Sequence, residues 1–290
     1  MSVVNTNVSA SIAQSALMRN ERSLSTAMEQ LSTGKKINSA ADNASGLAIS
    51  TRMTAQIRGL DQAVRNANDA ISMISTAEGA LDEVTAMLQR VRELGVQSGT
   101  GTTSTQDRDY LNQEYTHLLA EIERVSANTQ WNGRVILDGN AAGSGTGQSS
   151  IAFQVGMNPS QTMSVGFGDF SSAGQGIMTS LNGYTLNSGS SSIPSSISAA
   201  SNVITAADVA LEAVSNQRAT FGAVSNRLTH AIDNLTNIKT QAEGARSRIL
   251  DTDYAQSTSE LARTQIIQQA GTAMLAQANQ LPATVLALLS

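Results

Sequence analysis

An apolar stripe of unusual length constrains this chain more than any other feature. From Ile57 onward, apolar side chains fall at Leu60, Val64, Ala67, Ile71, Ile74, Leu81, Val84, Leu88 and Val91, in steps of three and four with one gap at Glu78. Such steps keep one face of an α-helix apolar, and over about ten turns they demand a partner helix along the same length. The stripe predicts a helix from about Asn43 to about Gln97, near 80 Å at about 1.5 Å per residue, a rod rather than a globular element. Ser39 and Asp42 stand just before it with the spacing of a capping box.

Gly99 to Thr105 breaks the pattern. Ser104 and Asp107 offer a second cap, and Leu111, Tyr115, Leu118, Ile122 and Val125 restart the same stepping as a shorter helix. Far along the chain, Val214, Phe221, Leu228, Leu235, Ala242 and Ile249 recur every seven residues, interleaved with Val224, Ala231, Ile238 and Ala245. They predict a third rod helix, of a length to match the first. Between these helices the chemistry changes. Trp131-Asn132-Gly133 favours a tight turn, and Ile151, Phe153 and Val155, then Met163, Val165 and Phe167, alternate with polar residues about Gly156-Met157-Asn158-Pro159. That is a small β-hairpin. The segments Ala141–Ser150 and Ser171–Ser198 are rich in Ser and Gly, nearly uncharged, and read as loop.

Composition agrees with thin helical layers. Aromatic residues are only 3% of the chain, too few for a thick core. The absence of cysteine removes disulfides, thiolate metal sites and cysteine nucleophiles together. Met1 to Ala10 lacks the basic and apolar regions of a general secretory signal, and no apolar run reads as a bilayer span, so no membrane insertion is expected. Net charge is −5, with lysines only at Lys35, Lys36 and Lys239, so there is no basic patch for nucleic acid.

Both ends carry a stripe of their own. Leu17, Leu24 and Leu31 recur every seven residues near the N-terminus, as do Ile267, Met274, Leu281 and Leu288 near the C-terminus, supplemented by Ala278 and Val285. Alone, neither end has neighbours enough to offset an ordering cost of roughly 1–2 kcal/mol per residue, so each should be frayed in a free monomer. Each needs the other, and then further copies. Packing many terminal pairs side by side would bury what a solitary pair leaves wet, so the chain reads as one built to polymerise. Ordinary bundle core is the plainer account of any single such stripe. A stripe at each extreme end, reaching almost to the last residue, weakens that account.

At these residues the chain resembles bacterial flagellin, over about 1–139 and 199–290. The carrying motifs are Leu31-Ser32-Thr33-Gly34-Lys35-Lys36-Ile37-Asn38-Ser39-Ala40-Ala41-Asp42-Asn43-Ala44-Ser45-Gly46-Leu47-Ala48-Ile49, Leu88-Gln89-Arg90-Val91-Arg92-Glu93-Leu94-Gly95-Val96-Gln97 and Trp131-Asn132-Gly133. Ser247-Arg248-Ile249-Leu250-Asp251-Thr252-Asp253-Tyr254-Ala255 and Gln268-Gln269-Ala270-Gly271-Thr272-Ala273-Met274-Leu275-Ala276-Gln277-Ala278-Asn279-Gln280 are similar to the family's C-terminal part. The resemblance implies a short form without large outer domains. Its terminal helices, about 1–42 and 251–290, would form an inner coiled-coil layer of the motility filament. Residues 43–140 and 199–250 would form the rod, and 141–198 a surface insertion. It also implies unfolded export through the flagellar type III apparatus, a cytosolic export chaperone, contacts with filament cap and hook-junction proteins, and an extracellular location. Related flagellins are recognised by Toll-like receptor 5, and the family's contact residues match here at Gln89, Arg90, Leu94 and Glu114. Gly95 stands where the family commonly has Ala.

No catalytic, metal or cofactor constellation is expected. His117 and Glu121 form an isolated i,i+4 pair, Thr33-Gly34-Lys35 lacks the preceding glycine of a phosphate loop, and Asp251 with Asp253 reads as a solvated helix end. The expected fold is mainly α, an elongated coiled-coil-like helical rod with two terminal helices, antiparallel rod helices and a small β-hairpin. The expected role is structural, with no enzyme activity. A hook–filament junction protein of the same helical plan is the alternative.

Overall fold

The protein is described from a computed structural model, which covers residues 7–139, 148–171, 179–186 and 193–289. The elements in chain order are α1 (Val8–Thr33), α2 (Ala44–Ser98), α3 (Thr105–Asn128), β1 (Gln130–Trp131), β2 (Arg134–Val135), β3 (Gln148–Gln154), β4 (Thr162–Gly168), α4 (Thr179–Asn182), α5 (Ile193–Leu250) and α6 (Tyr254–Leu289). The chain divides into two compact units, Met1–Arg58 with Lys239–Ser290, and Gly59–Ile238. The division falls within α2 and α5 and not at their ends, and the hairpin belongs to the second unit, whereas the sequence suggested a separate insertion.

In the second unit α2 and α5 run antiparallel. Leu60 and Ala63 pack on Leu235, Arg218 reaches Asp82 at 3.2 Å, and Arg92 binds Asp208 at 2.6 Å. Further along, a Cβ on Gly95 would lie 2.9 Å from Ile204 Cγ1, so glycine there allows the two helices to approach closely. The α2 stripe is wider than its leucines and valines suggest. Ala63, Ala67, Ala70, Met73 and Ala77 are buried as well, and Ala77 fills the gap at Glu78. A helix with neighbours on more than one side needs this broader apolar face.

Helix α3 starts with a full capping box, in which the Ser104 hydroxyl accepts the Asp107 N–H and the Asp107 carboxylate accepts the Ser104 N–H. It lies against the C-terminal part of α2. Arg108 is buried there and donates to the carbonyls of Ser98 and Thr100, both at 3.0 Å, where the last turn of α2 leaves acceptors unpaired. Tyr115 is buried too. Its hydroxyl donates to Leu181 O at 2.7 Å, and burial raises its pKa above the usual phenol range.

Strands β1 and β2 pair Trp131 with Arg134 around Asn132 and Gly133, whose positive φ angles of 50° and 76° suit a two-residue hairpin turn. Strands β3 and β4 pair antiparallel, with Ile151 opposite Val165 and Phe153 opposite Met163. Val165 and Phe167 face the core, and the Phe167 ring lies 5.3 Å from that of Phe221 on α5.

Three local expectations need correction. The Ser39 and Asp42 pair caps no helix: Asp42 accepts from the backbone of Asn38 and Ser39, and it is Asn43 Oδ1 that takes the Gly46 N–H as α2 begins. The Ser/Gly-rich stretch expected as loop holds α4 and the first turns of α5, which has Pro194 in its first turn, where a missing N–H costs nothing. One stretch within Ile197–Leu250 is long and apolar enough to cross a membrane, contrary to the expectation of none. Its apolar side, including Ala200, Val203, Ala207, Ala210 and Val214, is buried in the core.

Candidate assembly surface

The first unit brings the two ends of the chain together. After α1, Gly34 turns the backbone at φ 69°, a conformation that favours glycine, and a Cβ there would meet the Tyr254 hydroxyl at 2.9 Å. Lys36 N–H donates to Leu250 O at 2.6 Å and Thr252 N–H to Gly34 O at 3.1 Å, so the α1 exit and the α5–α6 turn are stitched by a short antiparallel bridge. Nearby, the amides of Ser39 and then Asn38 hold the Asp42 carboxyl below its usual pKa.

From that bridge α1 and α6 run antiparallel. The side of α1 that faces α6 steps by three and four through Ala10, Ala13, Leu17, Asn20, Leu24, Ala27 and Leu31, all buried or half-buried. The matching side of α6 is Ser257, Leu261, Thr264, Gln268, Gly271, Leu275 and Ala278. Small residues oppose large ones: a Cβ on Gly271 would lie 2.7 Å from Leu17 Cδ2. Two side-chain amides fix the register. Asn20 Nδ2 donates to Thr264 O, and Asn7 Nδ2 to Ala278 O, each at 2.8 Å. Asn20 is buried, so a slip of the helices would leave its donor without a partner.

The terminal residues singled out in the sequence therefore fall in three places. Leu17, Leu24 and Leu31 are half-buried in the seam. Ile267 and Met274 are not in it: they sit one heptad apart on an exposed side of α6. Gly271, Gln268 and Thr264 take the positions against α1, because the large α1 leucines need small or slender residues opposite. The side chains of Leu281, Val285 and Leu288 lie outside the described residues. With Ile267 and Met274 exposed, α6 adds Ile266, and α1 adds Val8, Ile12, Met18 and Met28. Among the described residues these seven large aliphatic and thioether side chains thus face solvent on one helix pair.

The second surface drawn from the resemblance is altered by the structure. Gln89 and Arg90 are exposed on α2, and Arg90 Nε donates to Glu114 of α3 at 2.8 Å while Nη1 reaches Glu93 at 3.0 Å. Those partners, Glu114 first, raise the Arg90 pKa further. Leu94 is a correction. It is fully buried in the core of the second unit and adds no apolar area to that face, because it continues the α2 stripe three residues after Val91. Among the described residues no group of three or more His, Asp or Glu stands where it could hold a metal.

Comparison with known proteins gives consistent relatives. Residues 4–142 match the family profile described as the bacterial flagellin N-terminal helical region, and residues 204–289 that of the C-terminal helical region. The flagellin of Halalkalibacterium halodurans is 45% identical over 263 residues, covering 91% of this chain and 90% of that one. The flagellin of Bacillus subtilis strain 168 is 40% identical over 303 residues and 99% of each chain. A solved structure provisionally assigned as a flagellar hook-associated protein of Vibrio parahaemolyticus has a similar fold, with a TM-score of 0.61 at 16% identity, over 72% of this chain and all of that one.

Proposed function

We propose that this chain, which belongs to the bacterial flagellin family, is a subunit that polymerises into the flagellar filament through the α1/α6 pair. One observation carries the reading. The seam between α1 and α6 combines Leu17, Leu24, Leu31, Leu261 and Leu275 with small and polar residues, and a second set of large apolar side chains on both helices remains exposed, with Ile266 at 66%. Fully burying each such side chain contributes about 1.5–3 kcal/mol, and neighbouring copies of the same pair supply the cover. The contacts are then heterologous, with different patches of the pair meeting in the same way at each step of an open helical array.

The same reading extends to the route and partners: unfolded export by the flagellar type III apparatus, a cytosolic chaperone for the C-terminal segment, cap and hook-junction proteins, and a final place outside the cell. A chain free of cysteine and assembled from helical layers is compatible with threading through a narrow channel. Recognition by Toll-like receptor 5 is a second reading, carried by the exposed Gln89 and Arg90 with the half-buried Glu114 and without Leu94.

The test is the double variant Ile266→Asp/Ile267→Asp. Both side chains are exposed in the single chain, so helicity and melting of the purified monomer should match the parent. Seeded elongation viewed by electron microscopy should fail, because two carboxylates would enter an apolar contact. Normal filaments from this variant would sink the α1/α6 mechanism. If the unsubstituted chain stays monomeric with seeds present, the hook–filament junction role becomes the better account.

A further inference from the structure

The exposed sides of the α1/α6 pair carry three thioethers, Met18 at 53%, Met28 at 55% and Met274 at 65% exposure. Met274 stands one heptad after Ile267 in the same column beside the seam, and Met18 and Met28 lie on the side of α1 away from it or flanking it. The chain has no cysteine, so no thiol competes for an oxidant. We infer that Met18, Met28 and Met274 are three oxidation-sensitive positions through which peroxide-class oxidants block incorporation of the free subunit, while the assembled polymer shields the same sulfurs. The inference rests on the proposed assembly through α1 and α6.

The chemistry balances with hydrogen peroxide as the oxidant. A sulfur lone pair attacks one peroxide oxygen, the O–O bond breaks, an S–O bond forms, and after proton transfer the other oxygen leaves as water. The thioether is oxidised by two electrons to the sulfoxide, and the peroxide is reduced. The product is a polar, chiral group bearing a strong acceptor, where a flexible apolar side chain stood. At an exposed site in the monomer this change is tolerated, since the new acceptor is met by water. In a contact between copies it meets apolar side chains with no donor, so the oxidised face no longer packs. Two other methionines serve as internal references. Met73 is 3% exposed in the core of the second unit and should resist the oxidant, and Met157, exposed in the β3–β4 connection, should react without being part of the α1/α6 face.

The experiment treats full-length monomer and preformed filament with hydrogen peroxide, maps the added oxygen by peptide mass spectrometry, and measures seeded elongation. Oxidation of Met18, Met28 and Met274 in the monomer with protection in the filament, Met73 unmodified, and an elongation yield reduced at least about tenfold is the expected result. The triple variant Met18→Leu/Met28→Leu/Met274→Leu should elongate equally before and after peroxide, and methionine sulfoxide reductases of both epimer specificities should restore the treated parent. Elongation of the oxidised parent at the untreated rate, or equal inhibition of the leucine variant, would overturn the inference while leaving the assembly reading intact. Failure of the untreated parent to elongate would overturn the assembly reading first, and this inference with it.

Discussion

Replacing Asn20 with Asp changes one heavy atom and removes the donor from a bond that sets the register of the terminal pair. Asn20 Nδ2 donates to Thr264 O at 2.8 Å from a buried position, and the substitution places a carboxylate oxygen opposite that carbonyl. Losing the donor removes one buried hydrogen bond, worth about 0.5–1.5 kcal/mol, from a carbonyl that stays paired within α6, and desolvating the new charge against that carbonyl adds to it, for a total near 2–4 kcal/mol at neutral pH. The same burial raises the introduced carboxyl's pKa, and the protonated acid carries an O–H that can donate to Thr264 O as the amide does. A carboxyl with a raised folded pKa binds more protons folded than unfolded, so the defect is absent below the ordinary carboxylate range of about 4 and complete above the raised value. Amide exchange along α1 and α6 should therefore speed up roughly 30- to 1000-fold at pH 7 relative to the parent, and seeded elongation should slow. At about pH 4.5, each measured against the parent at that pH, both differences should shrink. A neutral-pH variant indistinguishable from the parent would refute the assigned register, and a defect unchanged by protonation would refute the donor–acceptor account of it.

Other expectations concern the second unit. Arg108→Met keeps the volume but removes both charge-assisted bonds to the last turn of α2, at a cost of about 3–5 kcal/mol in urea unfolding; a loss below about 1 kcal/mol would show that the guanidinium does not cap that helix. Asp107 has its pKa lowered first by the Ser104 hydroxyl and then by the Ser104 amide, so its contribution is present above the unfolded value and is lost as pH falls through the lower folded one. Amide protection in the first turn of α3 should drop in that acid window for the parent, and much less for Asp107→Asn. Residues 59–238 hold sixteen of the chain's 23 carboxylates but only eight of its 18 cations, so copies brought together should repel there. Seeded elongation should accelerate about threefold or more between about 10 and 150 mM salt, as the screening length falls from about 30 to 8 Å; a rate that declines would count against close approach of these units in the polymer.

The long helices were legible because a large apolar residue marks nearly every turn of their buried faces. What escaped had smaller or less apolar markers. Ala63, Ala70 and Ala77 of α2 are as buried as its leucines, yet alanine is common enough on exposed helix faces to carry little signal. In α1 the leucine heptad pointed to the seam, but in α6 the larger Ile267 and Met274 drew attention from Thr264, Gln268 and Gly271, which face α1. Leu94 shows two signals in conflict. Its place three residues after Val91 marks it as core, whereas the family resemblance marks it as contact surface, and packing decides in favour of the core. The buried Arg108 also stands three residues before Leu111, on the stripe, where a charge without a carboxylate partner would be costly. Only the open carbonyls at the end of α2 explain it, and those depend on where α2 stops.

The mismatch in α6 has a physical meaning of its own. Two leucine-rich helices could have paired through their largest side chains, sealing a stable isolated coiled coil and leaving a polar exterior. Here the seam holds five leucines, Leu17, Leu24, Leu31, Leu261 and Leu275, but interleaves them with small and amide side chains, with Gly271 against Leu17 and Asn20 against the Thr264 carbonyl. Within it the buried Asn20 amide favours one alignment at some expense in apolar burial. The large residues Ile12, Met18, Ile266, Ile267 and Met274 are left on other sides of the pair. A terminal pair arranged in this way has apolar surface left to bury when it is surrounded by other copies. Substitutions in the seam and on the outer face should therefore separate experimentally: Asn20→Asp perturbs the monomer's terminal pair and its assembly alike, whereas Ile266→Asp/Ile267→Asp spares the monomer and stops the polymer.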